Sequence, residues 1–283
     1  MTDSQVQLRL PARAENVALV RQAMSGIADA LTVDPALVAD IKTAVTEACN
    51  NVVLHAYSGE EDDGRLEVDA NPASEAVTIT VRDFGGGMQP RAAVDELSSP
   101  GLGLPLIAAL TDQFEIRGGS GRGIEVRMVF LLSDGARAPE AGVTVDAPAP
   151  PTEDSSTAAG VAITPGPLLA PVLGRLMAML AARADFTLER LSDAVLVTDA
   201  IAARLSDYVD GSYAMITFQD GQQKIDLRFG PLVEGGGEGL LQSLELPGLS
   251  RSLEGLADEV RVEGSDASAD GNEYLLVRLA GGR

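Results

Sequence analysis

Hydrophobic and polar residues alternate in "VQLRL", residues 6–10, which is the period of a half-buried strand. The period then lengthens: in "ENVALVRQAMSGIADAL", residues 15–31, apolar positions recur at helical spacing. A second, longer helix is predicted over "DPALVADIKTAVTEACNNVVLHAY", with Asp34 as N-cap, Pro35 at the first helical position and an apolar stripe of Leu37, Val38, Ile41, Ala44, Val45, Ala48, Val52 and Val53. Period-two strands return in "RLEVDANP" and "AVTITVRDF". A glycine-rich stretch, a helix from about Gly103 and two strands joined by a turn, "FEIRGG" and "IEVRMVFLL", follow. This order predicts an α/β class, an α+β two-layer sandwich in which helices cover one face of a mixed sheet.

From 134 to 166 the chain is rich in Pro, Ala, Gly, Ser and Thr and has no sustained hydrophobic period, which reads as a flexible linker. It separates a first domain, residues 1–133, from a second, residues 167–283. The second half repeats the order of the first. "GPLLAPVLGRLMAMLAARADFTLERLSDAVLVTDAIAARLSDYV" has the spacing of paired helices, "YAMITFQDGQQKIDLRF" that of two strands, and "GLADEVRVEGSDASADGNEYLLVRLA" matches "ALTDQFEIRGGSGRGIEVRMVFLL" in pattern. The expectation is a tandem duplication with units of about 120 residues.

Composition narrows the function. The net charge of −21 opposes phosphate backbones and anionic membranes, and no run of Lys or Arg overrides it, so nucleic acid and membrane are not expected partners. A single cysteine forms no internal disulfide, the N-terminus lacks a basic region followed by an apolar one, and no segment reaches the roughly 18 apolar residues of a membrane span. A cytoplasmic protein is expected.

Three segments carry chemistry. In "TEACNNVVLHAY", Glu47, Asn51 and His55 stand four residues apart and share a helix face closely flanked by apolar positions. A carboxylate and an amide one turn apart can position a hydroxyl and a divalent cation beside a triphosphate; a solvated stripe is the alternative. In "VRDFGGGM", Asp83 ends an apolar strand ahead of Gly85, Gly86 and Gly87. The aspartate can accept a hydrogen bond from an exocyclic amine while the glycines admit a ligand closely, or the stretch is only a turn. In "GLGLPLIAAL", Gly101 and Gly103 lead into a helix whose first amides can cradle phosphate. By contrast, "GGSGRG" joins two strands and reads as a hairpin turn. Cys49 and His55 read mainly as packing residues, His55 closing the helix against the fold.

These three motifs, in this order, resemble the N-box and the two glycine boxes of the GHKL or Bergerat ATP-binding fold shared by gyrase, histidine kinases and mismatch-repair ATPases. The resemblance covers residues 5–132. The "HAY" ending and a short lid, residues 88–100, are similar to the anti-sigma-factor serine/threonine kinases. It implies ATP and Mg²⁺ as cofactors, Glu47 as general base toward a substrate hydroxyl, and Asn51 as Mg²⁺ ligand. It further implies Asp83 as reader of the adenine amino group, Gly85 and Gly87 as pocket floor, and Gly101, Gly103 and Leu104 as phosphate holders. The implied partners are a sigma factor, an anti-sigma antagonist protein, or both. One departure is Gly123-Ile124 where the family often has "GT", which implies weaker ATP binding.

In the second half, Asp199 aligns with Glu47 but Ala203 with Asn51. "LRFGPL" has no counterpart to Asp83, and "ELPGLSRSL" lacks the paired glycines. A degenerate copy that does not bind ATP is expected, acting as an intrachain pseudo-dimer partner or as an added protein-binding surface; the family generally works as dimers. A histidine autokinase is disfavoured because the sole histidine lies inside the N-box. The rival to a kinase is a non-catalytic module, a pseudokinase scaffold, in which ATP sets the conformation that grips a partner protein.

Overall fold

Alternation becomes burial in the first strand, β1 (Val6–Pro11), where Val6, Leu8 and Leu10 enter the core and Arg9 lies on the other face. The computed structural model describes residues 5–57, 64–85, 103–118, 123–132, 159–244, 253–264, 268 and 271–281. Two units are present, Met1–Met24 with Leu31–Thr157 and Ser25–Ala30 with Ala158–Arg283.

In the first unit β1 leads into α1 (Ala14–Leu31), of which Ser25–Ala30 are grouped with the second unit, and α2 (Pro35–Asn51). The strands β2 (Arg65–Pro72) and β3 (Ala76–Arg82), the helix α3 (Gly103–Leu110), and the strands β4 (Gln113–Gly118) and β5 (Ile124–Leu131) follow. The sheet order is β4-β5-β3-β2-β1, and every neighbouring pair is antiparallel. This corrects the expected mixed sheet. Two helices in succession between β1 and β2 bring the chain back against its own direction, whereas a single crossover helix would have made neighbouring strands parallel.

Leu8, Leu66, Ile79, Met128 and Phe130 have no exposed surface on the inner face. From α2, Ile41, Ala44, Val45, Ala48 and Cys49 are buried, and this helix packs against β3 and β5. Burial pushes the Cys49 thiol up to about 12, so it stays protonated and acts as a small hydrophobe. On the opposite face charges pair across strands. Arg9 meets Glu67 at 3.2 Å and Asp69 at 2.8 Å, while Arg82 bonds Asp69 and reaches Glu125 at 2.6 Å. The register explains the lattice, because Arg9 stands opposite Glu67 and Arg82 opposite both Glu67 and Glu125.

The second unit contains β6 (Ala159–Ile163), α4 (Leu169–Arg183), α5 (Leu188–Leu205), β7 (Ala214–Gly221), β8 (Lys224–Leu232), α6 (Gly236–Ser243), α7 (Leu253–Leu256), β9 (Glu259–Glu263) and β10 (Glu273–Ala280). Its strands lie in the order β6-β7-β8-β10-β9. Counted from the first strand of each unit, both sheets run first, second, third, fifth, fourth. The guanidinium of Arg190 is buried here, with Nε donating to the carbonyl of Ala280 at 2.7 Å and further bonds to Leu256 and Asp258. This ties α5 to the end of β10.

The strand β6 lies inside the stretch expected to be linker. Its Ala159, Val161 and Ile163 are buried, a five-residue alternation concealed by Gly, Ala and Pro around it. The rest of that stretch up to 158 lies outside the described residues. Among the described residues no helix is long and apolar enough to cross a membrane.

Because the Phe130 ring fills the centre of the first core, Phe130→Ala is expected to lower stability by about 3–5 kcal/mol. Urea unfolding followed by circular dichroism measures this, with the midpoint of the first unit's transition moving down.

Candidate functional site

The site is built on α2. Asp34 caps its start, accepting from the Ala36 amide at 2.8 Å, and Pro35 fixes the first turn. The α-helix ends at Asn51, short of the predicted end, and Val52–Ala56 form a π-helical turn. The change to i→i+5 bonding shifts the phase of every later side chain. His55 leaves the line of Glu47 and Asn51 and is exposed, so its expected packing role does not hold. Cys49 is buried as expected.

Glu47 and Asn51 are half-buried on the side of α2 where α3 begins. A Cβ at Gly103 would lie 3.3 Å from Glu47 Oε2 and 3.6 Å from both terminal atoms of Asn51. The structure therefore brings Glu47, Asn51 and Gly103 together, with the half-buried Leu104 next along α3. A carboxylate beside a helix start is electrostatically favoured. A carboxylate that can take a proton, an amide oxygen that can hold a cation and main-chain donors at a helix start form the chemistry of this cluster.

A second cluster follows at the π turn. A Cβ at Gly85 would collide with the carbonyl oxygen of Ala56, so only glycine fits this approach. Asp83, at the end of β3, is buried, and its carboxylate accepts the Gly85 amide at 3.0 Å. The Asp83 amide in turn donates to the Ile124 carbonyl at 3.0 Å, and the Gly123 amide to Gly85 at 3.1 Å. Burial pushes the Asp83 carboxyl above its ordinary range, and hydrogen bonds from the amides of Gly85 and Ile124 partly offset this.

Gly123 is a participant that sequence reasoning left in a hairpin turn. Its φ is +72°, and a side chain there would strike the Asp83 carbonyl. The departure noted at Gly123-Ile124 thus has a local role: the main chain of this pair holds the strand end that carries Asp83. A glycine followed at once by a strand was the only available signal. Tyr57, the last residue of the "HAY" ending, is a second such participant; its hydroxyl accepts the Phe84 amide at 2.8 Å. Gly87, Gly101 and the stretch 88–100 lie outside the described residues.

In the second unit Asp199 is exposed, 3.2 Å from where a Cβ of Gly174 would be, and Ala203 is exposed on the same helix. The Glu273 carboxylate accepts the amides of Gly235 at 3.0 Å and Gly237 at 3.1 Å, so the donors at the start of α6 are already bonded within the chain.

A buried acid followed by glycines at the end of β3, and a carboxylate–amide pair facing a helix start, occur here on a helix-covered antiparallel sheet. The family model described as the histidine kinase-like ATPase domain matches residues 10–130, and the chain belongs to this family. It is similar to the serine-protein kinase RsbW. The Bacillus pumilus protein is 33% identical over 141 residues, covering 45% of this chain and 86% of the relative. The Bacillus subtilis protein is 31% identical over 140 residues with the same coverage. A crystal structure of the RsbU and RsbW domains of a Mycobacterium tuberculosis protein is 24% identical with a TM-score of 0.36, covering 45% of this chain and 32% of that one.

The raised Asp83 has a consequence for stability. A carboxyl whose folded pKa is raised favours the folded state below its ordinary pKa, and this contribution is lost as pH rises through the raised value. Asp83→Asn is therefore expected to melt at a higher temperature than the parent at neutral pH in the absence of nucleotide, with the gap closing as pH falls to about 4. Calorimetric melting across that range checks the sign.

Proposed function

We propose that this chain is an ATP-dependent serine/threonine protein kinase of the anti-sigma-factor type, acting on an anti-sigma antagonist protein, binding a sigma factor, or both. The observation that carries the reading is the meeting of Glu47, Asn51 and the start of α3 at Gly103. Kinship with the RsbW serine-protein kinases supports it.

The residues fit a nucleotide with Mg²⁺. Asn51 offers a neutral oxygen to the cation, which suits an ion that takes one or two protein ligands and completes its shell with phosphates and water. Gly103 and Leu104, with Gly101 before them, offer main-chain amides to phosphate oxygens. Asp83, its carboxylate held by the amides of Gly85 and Ile124, offers an acceptor to the adenine amino group, and the Gly85 backbone, packed on the Ala56 carbonyl, would form the pocket floor. Bound ATP supplies the phosphoryl group and Mg²⁺ supplies countercharge. Glu47 orients the acceptor hydroxyl and receives its proton; Asn51 and the α3 amides hold the phosphates in line, so the chain works chiefly by positioning and charge neutralisation.

Residues 167–283, extended back to β6, are on this reading a degenerate tandem copy that does not bind ATP. The common strand order supports the duplication. Ala203 in place of Asn51, with no counterpart to Asp83 in "LRFGPL" and no paired glycines in "ELPGLSRSL", supports the loss of nucleotide binding.

Titration of the full chain with ATP and Mg²⁺ by calorimetry is expected to give one site per chain. Loss of the Mg²⁺ dependence in Asn51→Ala assigns the cation to that residue, and unchanged dependence refutes the assignment. Glu47→Ala is expected to keep ATP affinity within about twofold while transfer to the acceptor protein falls by roughly 10²–10⁴. Loss of both together would make Glu47 structural, and ATP binding without transfer in the parent chain would leave the non-catalytic module.

A further inference from the structure

We infer that Tyr57 is a positioning residue whose hydroxyl holds the Asp83–Gly85 turn in the shape that selects an adenine base. The inference rests on the proposed reading of Asp83 as the base acceptor. The hydroxyl makes two bonds at once, donating to the Arg65 carbonyl at 2.6 Å and accepting the Phe84 amide at 2.8 Å. It therefore links the first residue of β2 to the peptide that follows Asp83.

Among the described residues little else anchors that peptide through side chains. The Phe84 ring is 56% exposed, and the Arg65 guanidinium lies 6.0 Å from its centroid. The phenol ring itself is well seated, since a Cβ at Gly64 would fall on its atoms and the chain there lies flush against the ring. One residue before Tyr57, the Ala56 carbonyl abuts Gly85. The turn carrying Asp83 is thus held from the π turn at two points, the Gly85 backbone by contact and the Phe84 amide by a hydrogen bond.

Removing only the hydroxyl keeps the ring on Gly64 and releases the Phe84 amide. The Asp83 carboxylate, one residue upstream, keeps the amides of Gly85 and Ile124 but loses the anchor on the peptide between Asp83 and Gly85, so its direction loosens. Glu47 and Asn51 lie on the α-helical part of the same element, Gly103 stands against them at the start of α3, and all three keep their geometry, so the phosphate end is untouched. The effect falls on the choice of base and not on nucleotide binding as a whole, which separates positioning from a general loss of structure.

The test measures the dissociation constants of ATP and GTP, with Mg²⁺, on the full-length parent, Tyr57→Phe and Asp83→Asn. The parent is expected to prefer ATP. In Tyr57→Phe the affinity for ATP is expected to fall about fivefold to tenfold while that for GTP changes by less than about twofold, the loss appropriate to one hydrogen bond. Equal weakening of both nucleotides, or an unchanged ratio, overturns the inference. If Asp83→Asn binds ATP as the parent does, the reading of Asp83 fails and the inference falls with it. If Asp83→Asn loses ATP while Tyr57→Phe keeps the parent's ratio, the inference alone fails. A second measurement needs no variant: hydrogen exchange of the Phe84 amide in the nucleotide-free parent is expected to be slowed, and exchange at the rate of an open chain overturns the proposal.

Discussion

At Val52 the helix that began at Pro35 changes its period, and both parts of the candidate site depend on that change. Before it, regular α spacing stacks Glu47 and Asn51 one turn apart against the start of α3. After it, the wider turn delivers the Ala56 carbonyl to Gly85 and the Tyr57 ring to Gly64. A π turn is uncommon and persists where surrounding contacts hold it. Here they include two glycines that leave no side chain in the way. One continuous element thereby fixes the spacing between the two clusters without any loop intervening.

Charge places its own demand on this arrangement. Among the described residues the clusters contribute two carboxylates and no cationic side chain, in a chain of net charge −21. Arg9, Arg65 and Arg82 are bound to carboxylates on the opposite face of the sheet. For the proposed function, a triphosphate would meet main-chain amides, the Asn51 side chain and whatever countercharge it brings with it. On the proposed function, Mg²⁺ would supply the countercharge that these side chains do not.

The helices and strands were legible because burial on one face imposes a period, and the described elements follow the stretches that showed it. The pairing of Glu47 with Asn51 was legible for the same reason. Strand direction was missed although two helices were predicted between the first two strands, a return that already demands antiparallel neighbours. The strand at Ala159–Ile163 was hidden by its short length and by Pro and Gly around it. The π turn was hidden because "VVLHA" satisfies either helical period, and His55 was misplaced in consequence. The contacts of Gly123 and Tyr57 were not legible because they join segments distant in sequence, Gly123 with Asp83 and Tyr57 with Arg65 and Phe84, and no spacing along the chain encodes them.

Cys49 stands on α2 between Glu47 and Asn51, yet it faces the core and keeps its proton. Thiols react as thiolates, so this one is shielded twice, by its surroundings and by its own acidity. It is also the only cysteine in the chain. Alkylation can therefore proceed only when α2 lifts away from β3 and β5, and the rate of modification becomes a built-in clock for that opening. The element that carries the candidate site reports its own fluctuations without any label being engineered into it.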